Sequence, residues 1–489
     1  FNVGINHLIY PSFMWNNLAL GTAQQPGSGI SESAMVSLFG RVSYAYKDKY
    51  LFSGTIRRDA ASVFRDNNKV GYFPSLSLGW VISNEQFMKD LNAFKLLKLR
   101  GSWGLTGNQA VGAYSTYATY KSATATYSNN SNVPAIEIDR SENKDLKWET
   151  TEQKDLGLDM QFNPIGLHAS VDYFVKDTRD LLFWVGLPMF SGGGGIEKNI
   201  GEVTNKGWEL SLGATPVSSH NFSWNTEFNY SVVNNKIVKL TGEGDIFDDP
   251  DIGWGMTSLP EFVLREGESM GAFWGYQYLG TWKPKDQAEA AKYGAVPGDS
   301  RYADLNGDNT IGKGDYTIIG HGLPKYTAGW NNTFTYKGIE LNIFIQGVFG
   351  FDKLNFLYGA AMANGGDFRQ AMLTDIKNRY IPGVNETSDI PAFSGTNLNF
   401  IQSSRFVSKG DFIRFKNVSL AYTLPKTVLR NIASVKLFAS AMNLFTITHY
   451  KGMDPEAANT GSGSDAAQNI DYGAYPVPRT FTAGITLTF

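Results

Sequence analysis

The sequence predicts an all-β protein, a transmembrane antiparallel β-barrel with about thirteen crossing strands in this chain. Three observations lead there. The final stretch, RTFTAGITLTF from Arg479 to Phe489, alternates strictly, with Phe481, Ala483, Ile485, Leu487 and Phe489 on one side and Thr480, Thr482, Gly484, Thr486 and Thr488 on the other. The same two-faced pattern recurs along the whole chain, with charges on its polar side. No run approaches the ~18 apolar residues a membrane helix needs, whereas 52 Gly, 32 Phe, 24 Tyr and 11 Trp supply what twisted strands and barrel rims use.

The strands follow in order. Val36, Leu38, Gly40, Val42 and Tyr44 alternate with Ser37, Phe39, Arg41 and Ser43. Leu76, Leu78, Trp80 and Ile82 alternate with Ser75, Ser77 and Gly79, and Leu97, Leu99, Gly101, Trp103 and Leu105 with Lys98, Arg100, Ser102 and Thr106. Leu156, Leu158, Met160 and Phe162 face away from Asp155, Asp159 and Gln161; Ala169, Val171, Tyr173 and Val175 oppose His168, Ser170, Asp172 and Lys176. Trp208, Leu210 and Leu212 oppose Glu209 and Ser211, and Phe222, Trp224, Phe228 and Tyr230 oppose Ser223, Asn225, Glu227 and Asn229. Leu341, Ile343, Ile345 and Phe349 oppose Glu340, Asn342 and Gln346. Charged residues such as Arg100, Asp159, Glu209, Glu227 and Glu340 on the polar rows favour a wet lumen over a packed sandwich core. Tyr44, Tyr46, Trp80, Trp103 and Trp330 suit aromatic girdles at the headgroups.

Tight links at Lys47–Lys49, Asn163–Gly166, Ser218–Asn221 and Lys337–Gly338 alternate with long irregular stretches at 109–144, 184–198, 241–326, 351–410 and 449–478. Outer-membrane barrels are strung this way, with turns in the periplasm and loops outside. The parsing gives an extracellular loop over 1–34, barrel strands with their loops over 35–240, an extracellular insertion over 241–326 and carboxy-terminal barrel strands over 327–489. Strand-like pieces within the insertion, such as Gly271–Trp282, are expected not to cross the bilayer. The strand count is odd and the first strand descends from outside, so the chain is expected to be the carboxy-terminal part of a larger barrel, with Phe489 on the periplasmic side.

Composition removes several function classes. A net charge of −3 gives no footprint for nucleic acid. The absence of cysteine removes thiol catalysis and Cys-ligated zinc.

Several segments resemble the SusC/RagA group of TonB-dependent outer-membrane transporters of Bacteroidetes. They are FSGTIRRDAASVF (52–64), GYFPSLSLGWVISNE (71–85), LKLRGSWGLTGNQ (97–109), WETTEQKDLGLD (148–159), NKGWELSL (205–212), GDSRYADLNGDNTIGKGDYTIIGHGLPKYTAGW (298–330), DFIRFKNVSLAYTLP (411–425) and the terminal strand. The resemblance implies location in the outer membrane of a Gram-negative bacterium and a barrel of about twenty-two strands, of which this chain holds the later ones. It also implies an amino-terminal plug, a TonB box working with the TonB–ExbB–ExbD motor, and a SusD-like surface lipoprotein as lid. Active import of oligosaccharides or oligopeptides, with no enzymatic activity, is the function it implies.

Local motifs add candidates. In DLNGDNTIGKGD, oxygen donors fall at Asp304, Asn306, Asp308, the Thr310 carbonyl and Asp315, the spacing that wraps a loop round Ca²⁺. Asn309 replaces the turn glycine and Asp315 is shorter than the usual Glu, so a structural calcium competes with an Asx-rich turn holding no metal. Trp254, Trp274, Tyr276, Tyr358 and Phe393 lie in expected loops where ring faces could stack on a ligand or serve loop packing. The acidic stretch Asp245 to Trp254 reads as a solvated loop, and SGGGGIEKN (191–199) as a mobile one. GESMG around Ser269 matches a nucleophile elbow but lacks the following helix, and reads as a turn. No organic cofactor is expected. Two rivals remain at this stage: a passive porin or adhesin barrel, and a secreted glycan-active enzyme, for which no carboxylate pair can be placed by sequence.

Overall fold

A strand crossing lipid has no water to bond, so its N–H and C=O groups must pair with neighbouring strands. The computed structural model meets this requirement with one long antiparallel sheet. It describes residues 5–6, 22–23, 30–91, 93–126, 132–162, 166–188, 190, 194–240, 244–248, 262–362, 372–393, 401–425, 432–458 and 468–488.

Thirteen strands lie side by side in chain order. They are β1 (Met35–Tyr46), β2 (Tyr50–Ala61), β3 (Val70–Val81), β4 (Phe94–Asn108), β5 (Glu149–Phe162), β6 (His168–Arg179), β7 (Glu202–Ser218), β8 (Phe222–Lys239), β9 (Tyr326–Tyr336), β10 (Ile339–Phe349), β11 (Phe412–Thr423), β12 (Ser434–Met442) and β13 (Thr480–Thr488). Every neighbouring pair is antiparallel. A short piece, Thr446–Thr448, extends the ladder beside Phe412–Arg414. The fold class and the strand count expected from the sequence both hold among the described residues.

Register sorts the two faces. One apolar row runs Leu99, Leu158, Val171, Leu210, Tyr230, Ala328 across six strands. A second runs Phe334, Leu341, Leu420, Ala439, Ala483. On the opposite face, Lys98 pairs in register with Asp159, then Ser170, Ser211, Asn229, Gly329, Gln346 and Arg414. A slip of one residue would exchange the two sets, so the pattern itself fixes the pairing. Exposed on the apolar face are Leu156, Trp208, Leu420, Phe481 and Ile485, the belt a bilayer would cover. Aromatics edge this belt: Tyr44, Tyr46, Tyr50 and Trp80 near one end, Trp103, Trp208 and Trp330 toward the other, with the Tyr173 and Trp208 rings 4.9 Å apart.

The strands alternate between a turn end and a loop end. At the turn end, Lys337 (φ 43°) and Gly338 (φ 87°) form a two-residue link with both residues left-handed, the hairpin geometry that matches strand twist. Lys47 and Asp48 (both φ 51°) close the β1–β2 hairpin. Glu85, in the link between β3 and β4, accepts from Lys49 Nζ (2.8 Å), Tyr50 OH (2.7 Å) and Trp80 Nε1 (3.2 Å), while Asn84 Nδ2 donates to the Asp48 carbonyl at 2.7 Å. One carboxylate thus ties two turns and a girdle tryptophan together.

At the loop end, β7 and β8 are 17 and 18 residues long, more than the ~10 residues a crossing needs. Their ends build a small core of Val203, Ile237 and Leu240 against Leu264 of the insertion. The larger loop core unites three long connections: Phe262 and Phe273, Leu354, Phe356 and Phe406, and Ile470. The insertion's strands, Phe262–Leu264, Ala272–Tyr276 and Tyr316–His321, pair with one another and stay outside the thirteen-stranded ladder. Within the glycine-rich segment, read as mobile, the described residues 194–199 include a strand. Gly195–Asn199 pairs antiparallel with Leu182–Gly186, and the Trp184 ring lies where a Cβ on Gly195 would sit. Phe489 and most of residues 1–29 lie outside the described residues; Ile5–Asn6 pairs with Thr22–Ala23.

The Glu85 clasp generates a pH prediction. Bonds from Lys49, Tyr50 and Trp80 hold the Glu85 carboxyl down at about 2, burial opposing them weakly. Since the folded value is depressed, the stabilisation is complete above the ordinary value of 4.5 and disappears as pH falls through about 2. Glu85→Gln should lower the melting temperature in detergent at pH 7, and the gap from wild type should shrink between those two values. A pH-independent gap would show that the ion pair is not its source.

Candidate functional site

The polar face carries the densest charge arrangement. Arg100, near the middle of β4, reaches across β5 to β6. Its Nε donates to both Asp159 oxygens (3.1 and 3.2 Å), Nη1 to Asp155 (3.3 Å), and Nη2 to Asp172 (2.7 Å) and Ser170 Oγ (3.2 Å). The crossing depends on Gly157, the register partner of Arg100. A Cβ there would lie 2.5 Å from Arg100 Cζ and 2.4 Å from Asp172 Oδ1. Lys98 adds a longer contact to Asp159 at 3.7 Å. One guanidinium therefore gathers three carboxylates from two neighbouring strands, a planar fork suited to several acceptors at once.

The other polar-face residues named from sequence occupy the same face. Glu227 meets His168 at 3.2 Å, Glu340 meets Lys436 at 3.1 Å, and Glu209 is the register partner of Asp172. Sequence placed these side chains on one face; it did not reveal that Asp155 and Asp172 would converge on Arg100. The signal was present in parity, because all three occupy polar positions of strands that turned out to be adjacent.

The loop candidates fare differently. Trp274 is 8% exposed and packs against Phe247 and Tyr316, with the Arg265 guanidinium 4.8 Å above its ring. Tyr276 is buried between Tyr302 and Tyr316. Tyr358 packs against the loop core beside Phe356 and Phe406. Trp274 and Tyr276 are thus buried in loop packing, and Tyr358 is partly buried. Phe393 is exposed, with Arg379 over its ring at 4.4 Å. Trp254 lies outside the described residues. Asp245, from the acidic stretch, is held by Arg265 through contacts of 2.6 to 3.0 Å.

The Asp304–Asp315 loop closes on itself. Asp304 accepts from the Gly307 and Asn309 N–H groups (2.6 and 3.0 Å), Asn306 Oδ1 from Asp308 N (2.9 Å), and Asp308 Oδ1 from Thr310 N (2.7 Å). Asp315, fully buried, accepts from Leu305 N (2.8 Å) and Gly312 N (2.8 Å). Asn309 stands at φ 60°, the left-handed turn that its place in the motif requires and that Asn tolerates. Burial tends to raise the Asp304 carboxyl, but the Asn309 and Gly307 N–H groups and the Tyr293 hydroxyl hold it below the ordinary range. Both oxygens of Asp304 and of Asp315 are engaged within the fold. Among the described residues no three acidic or histidine side chains form a group that could hold a metal ion. The side-chain oxygens at the calcium-like positions thus accept hydrogen bonds from the loop's own N–H groups.

Ser269 sits in a turn, as expected. Its hydroxyl is nevertheless 3.1 Å from His321 Nδ1, and Glu268 lies 3.9 Å from His321 Nε2. The elbow geometry is missing, since a buried strand, Ala272–Tyr276, follows where a helix would start. The trio joins the insertion to β8, where Met270 N donates to Asn235 Oδ1 at 2.8 Å.

An unbroken apolar belt backed by a charged, hydroxyl-rich wall is the architecture of a membrane barrel with a wet interior. Residues 5–346 match the family described as TonB dependent receptor-like, beta-barrel. The chain belongs to this family. It is similar to TonB-dependent receptor P3 of Formosa agariphila, 36% identical over 99% of this chain and 49% of that protein. It is also similar to TonB-dependent receptor SusC of Bacteroides thetaiotaomicron, 29% identical over 94% of this chain and 44% of that protein. The solved structure of the RagAB peptide transporter superposes with a TM-score of 0.80 at 24% identity, covering 96% of this chain and 50% of that one, a likeness of fold. The chain thus spans about half the length of the curated relatives it matches. It is an outer-membrane β-barrel of the TonB-dependent receptor-like family.

In this TonB-dependent receptor-like barrel, a buried ionic clasp that sequence reasoning missed roots the loops in the wall. Arg414, at the loop end of β11, donates to Asp454 (2.5 Å), Glu456 and Thr446 (2.9 Å). Burial tends to raise the Asp454 carboxyl, yet N–H bonds from Glu456 and Val477 and the Arg414 guanidinium keep it low. Nearby, fully buried Lys353 donates to the Pro455 and Ala457 carbonyls, and Tyr450 donates to Asp471 at 2.5 Å. Burial pushes the Lys353 ammonium down to about 8 against the pull of Asp471 and Asp454, so this region gains stability as pH rises from there toward the ordinary 10.5. Its pairing partners lie about a hundred residues away in sequence, where no periodicity can point to them.

Removing one member strands the other. Arg414→Met leaves Asp454 buried without its cation, and the expected cost is about 3–5 kcal/mol. Hydrogen exchange should accelerate at 454–456 and 353–355 while the β5–β8 ladder stays protected. Unchanged exchange at both segments would remove the clasp from the account.

Proposed function

We propose that this chain forms the later strands of an active outer-membrane importer for oligosaccharides or oligopeptides. The observation that carries the reading is the polar wall, with Arg100 and its three carboxylates at the centre, lying behind an apolar belt in a chain of the TonB-dependent receptor family. A wall of fixed charges and hydroxyls offers a hydrated path to a solute too polar for lipid. In this reading the turn end faces the periplasm and the loop end faces outward. The plug and the TonB-contacting segment belong to the part of the receptor beyond this chain, and the proton gradient reaches it through TonB–ExbB–ExbD. A SusD-like lipoprotein would close over the loop end. The solved structure of similar fold is that of a peptide transporter, which supports the oligopeptide class.

The test uses the complete receptor in its native membrane. Accumulation of its oligomeric ligand should stop when the gene is deleted and equally when TonB is removed, and a surface lipoprotein should co-purify with the receptor. Uptake that persists without TonB would identify a passive pore instead.

We further propose that the Asp304–Asp315 loop is held by its own N–H bonds. The oxygens that calcium would need already accept hydrogen bonds from the loop. Melting curves in detergent should coincide with calcium and with a chelator. A drop of several degrees on chelation would restore the ion.

A further inference from the structure

The turn end is not uniformly tight. Where Lys337–Gly338 turns in two residues, the link from β3 to β4 runs over 82–93, with 3₁₀ turns at Ile82–Asn84 and Gln86–Leu91. Its Phe87 and Leu91 are 62% and 61% exposed. Apolar residues scattered singly over a surface need no explanation, but these two adjoin an apolar face. Glu85 shows which face. It accepts from Tyr50 OH and Trp80 Nε1. Tyr50 and Trp80 are register partners, and their row continues through Leu99 and Leu158, the first apolar row of the belt. Where the link ends, Phe94 is the register partner of Phe162 on the same face, their rings 4.8 Å apart. The link is therefore tied to the lipid side of the wall.

The neighbouring hairpin fixes its placement further. Asn84 Nδ2 donates to the Asp48 carbonyl and Val81 N to the Lys49 carbonyl (both 2.7 Å), while Lys49 Nζ holds Glu85 at 2.8 Å. Beside the clasp, a hollow of about 450 Å³ is lined in part by Tyr46, Tyr50, Phe52, Leu78, Trp80 and Leu99, all apolar or aromatic. Strands that complete the barrel join at the edges of β1 and β13, and a plug fills the lumen along the polar face. The lipid side of β3 and β4 meets neither. Composition fits the membrane interface instead. Lys89, exposed, stands between Phe87 and Leu91, and the girdle rings of Tyr46, Tyr50 and Trp80 lie alongside. Interfacial segments combine Phe, Leu or Trp sunk below the headgroups with Lys whose long stem carries its charge out to them.

We infer that the 82–93 link is an interfacial anchor, lying along the phospholipid headgroups at the turn end with Phe87 and Leu91 sunk at the acyl boundary and Lys89 reaching a phosphate. Glu85, by holding the link against Trp80, aims these side chains at the bilayer. The inference rests on the lipid belt, not on the importer reading.

For the test, the complete receptor is reconstituted in phosphatidylcholine–phosphatidylglycerol vesicles with one bimane-labelled cysteine, introduced as Phe87→Cys, as Leu91→Cys or, for comparison with the exposed β7–β8 turn, as His220→Cys. Lipids brominated near the glycerol end of the acyl chain should remove most of the fluorescence at 87 and 91, and iodide should remove little. The label at 220 should show the reverse. Native side chains are read by amide exchange in nanodiscs of the same lipids. The double substitution Phe87→Ser, Leu91→Ser should speed exchange at 86–91 by about tenfold while β3 and β4 stay protected. Labels at 87 and 91 that iodide quenches and brominated lipid does not would place the link in water and overturn the inference. So would labels shielded from both reagents, which means packing against the rest of the receptor, or exchange at 86–91 that the double substitution leaves unchanged.

Discussion

The interstrand hydrogen-bond ladder is the constraint on which the rest depends. In hydrocarbon an unpaired peptide group costs several kcal/mol, so the strands cannot separate, and their order and register become rigid facts for everything attached to them. Rigid register in turn lets a period of two residues divide the protein into oil and water. Leu158 and Asp159 are sequence neighbours; one belongs to the belt and the other to the Arg100 cluster. The same constraint positions Gly157, whose missing side chain lets a guanidinium cross a strand.

From this frame the two ends diverge in character. Turn links are short, and small polar devices secure them, as Glu85 does for the β1–β2 and β3–β4 links. The loop end carries long connections that cannot rely on the ladder, and they bury their own core around Phe262, Leu354 and Ile470. The Arg414–Asp454 clasp joins that core to β11. A buried ion pair is weak evidence for stability by itself, but here it fixes where a loop leaves the wall. The polar face has a matched centre at Arg100, where one guanidinium meets three carboxylates from two strands.

Most of the barrel was legible in the sequence because its signals are local. Strand parity and tight turns each involve residues a few positions apart, and a lipid-facing row cannot hide its alternation. Lys337–Gly338 announces its hairpin in two letters. The loop end was hardly legible, for a physical reason: Trp274 and Tyr276 look like surface aromatics until Phe247, Tyr302 and Tyr316 arrive from elsewhere in the chain to bury them. The calcium-like spacing does not decide for a similar reason, since side-chain oxygens at alternate positions serve an ion or backbone N–H groups equally well. The glycines of segment 191–199 suggested mobility, and Gly195, with the Trp184 ring against it, begins a strand instead.

The central claim, that register sorts lipid from water, is tested most directly by spin labels placed one at a time in the complete receptor reconstituted in vesicles. Labels at Leu158, Leu210 and Ile343 should relax faster with oxygen, which concentrates in lipid. Labels at the adjoining Asp159, Ser211 and Asn342 should respond to a water-soluble nickel chelate. Alternation of the two responses along each strand agrees with the account. Labels at Leu158, Leu210 and Ile343 shielded from both reagents, as in a sheet packed against a second protein layer, would contradict it.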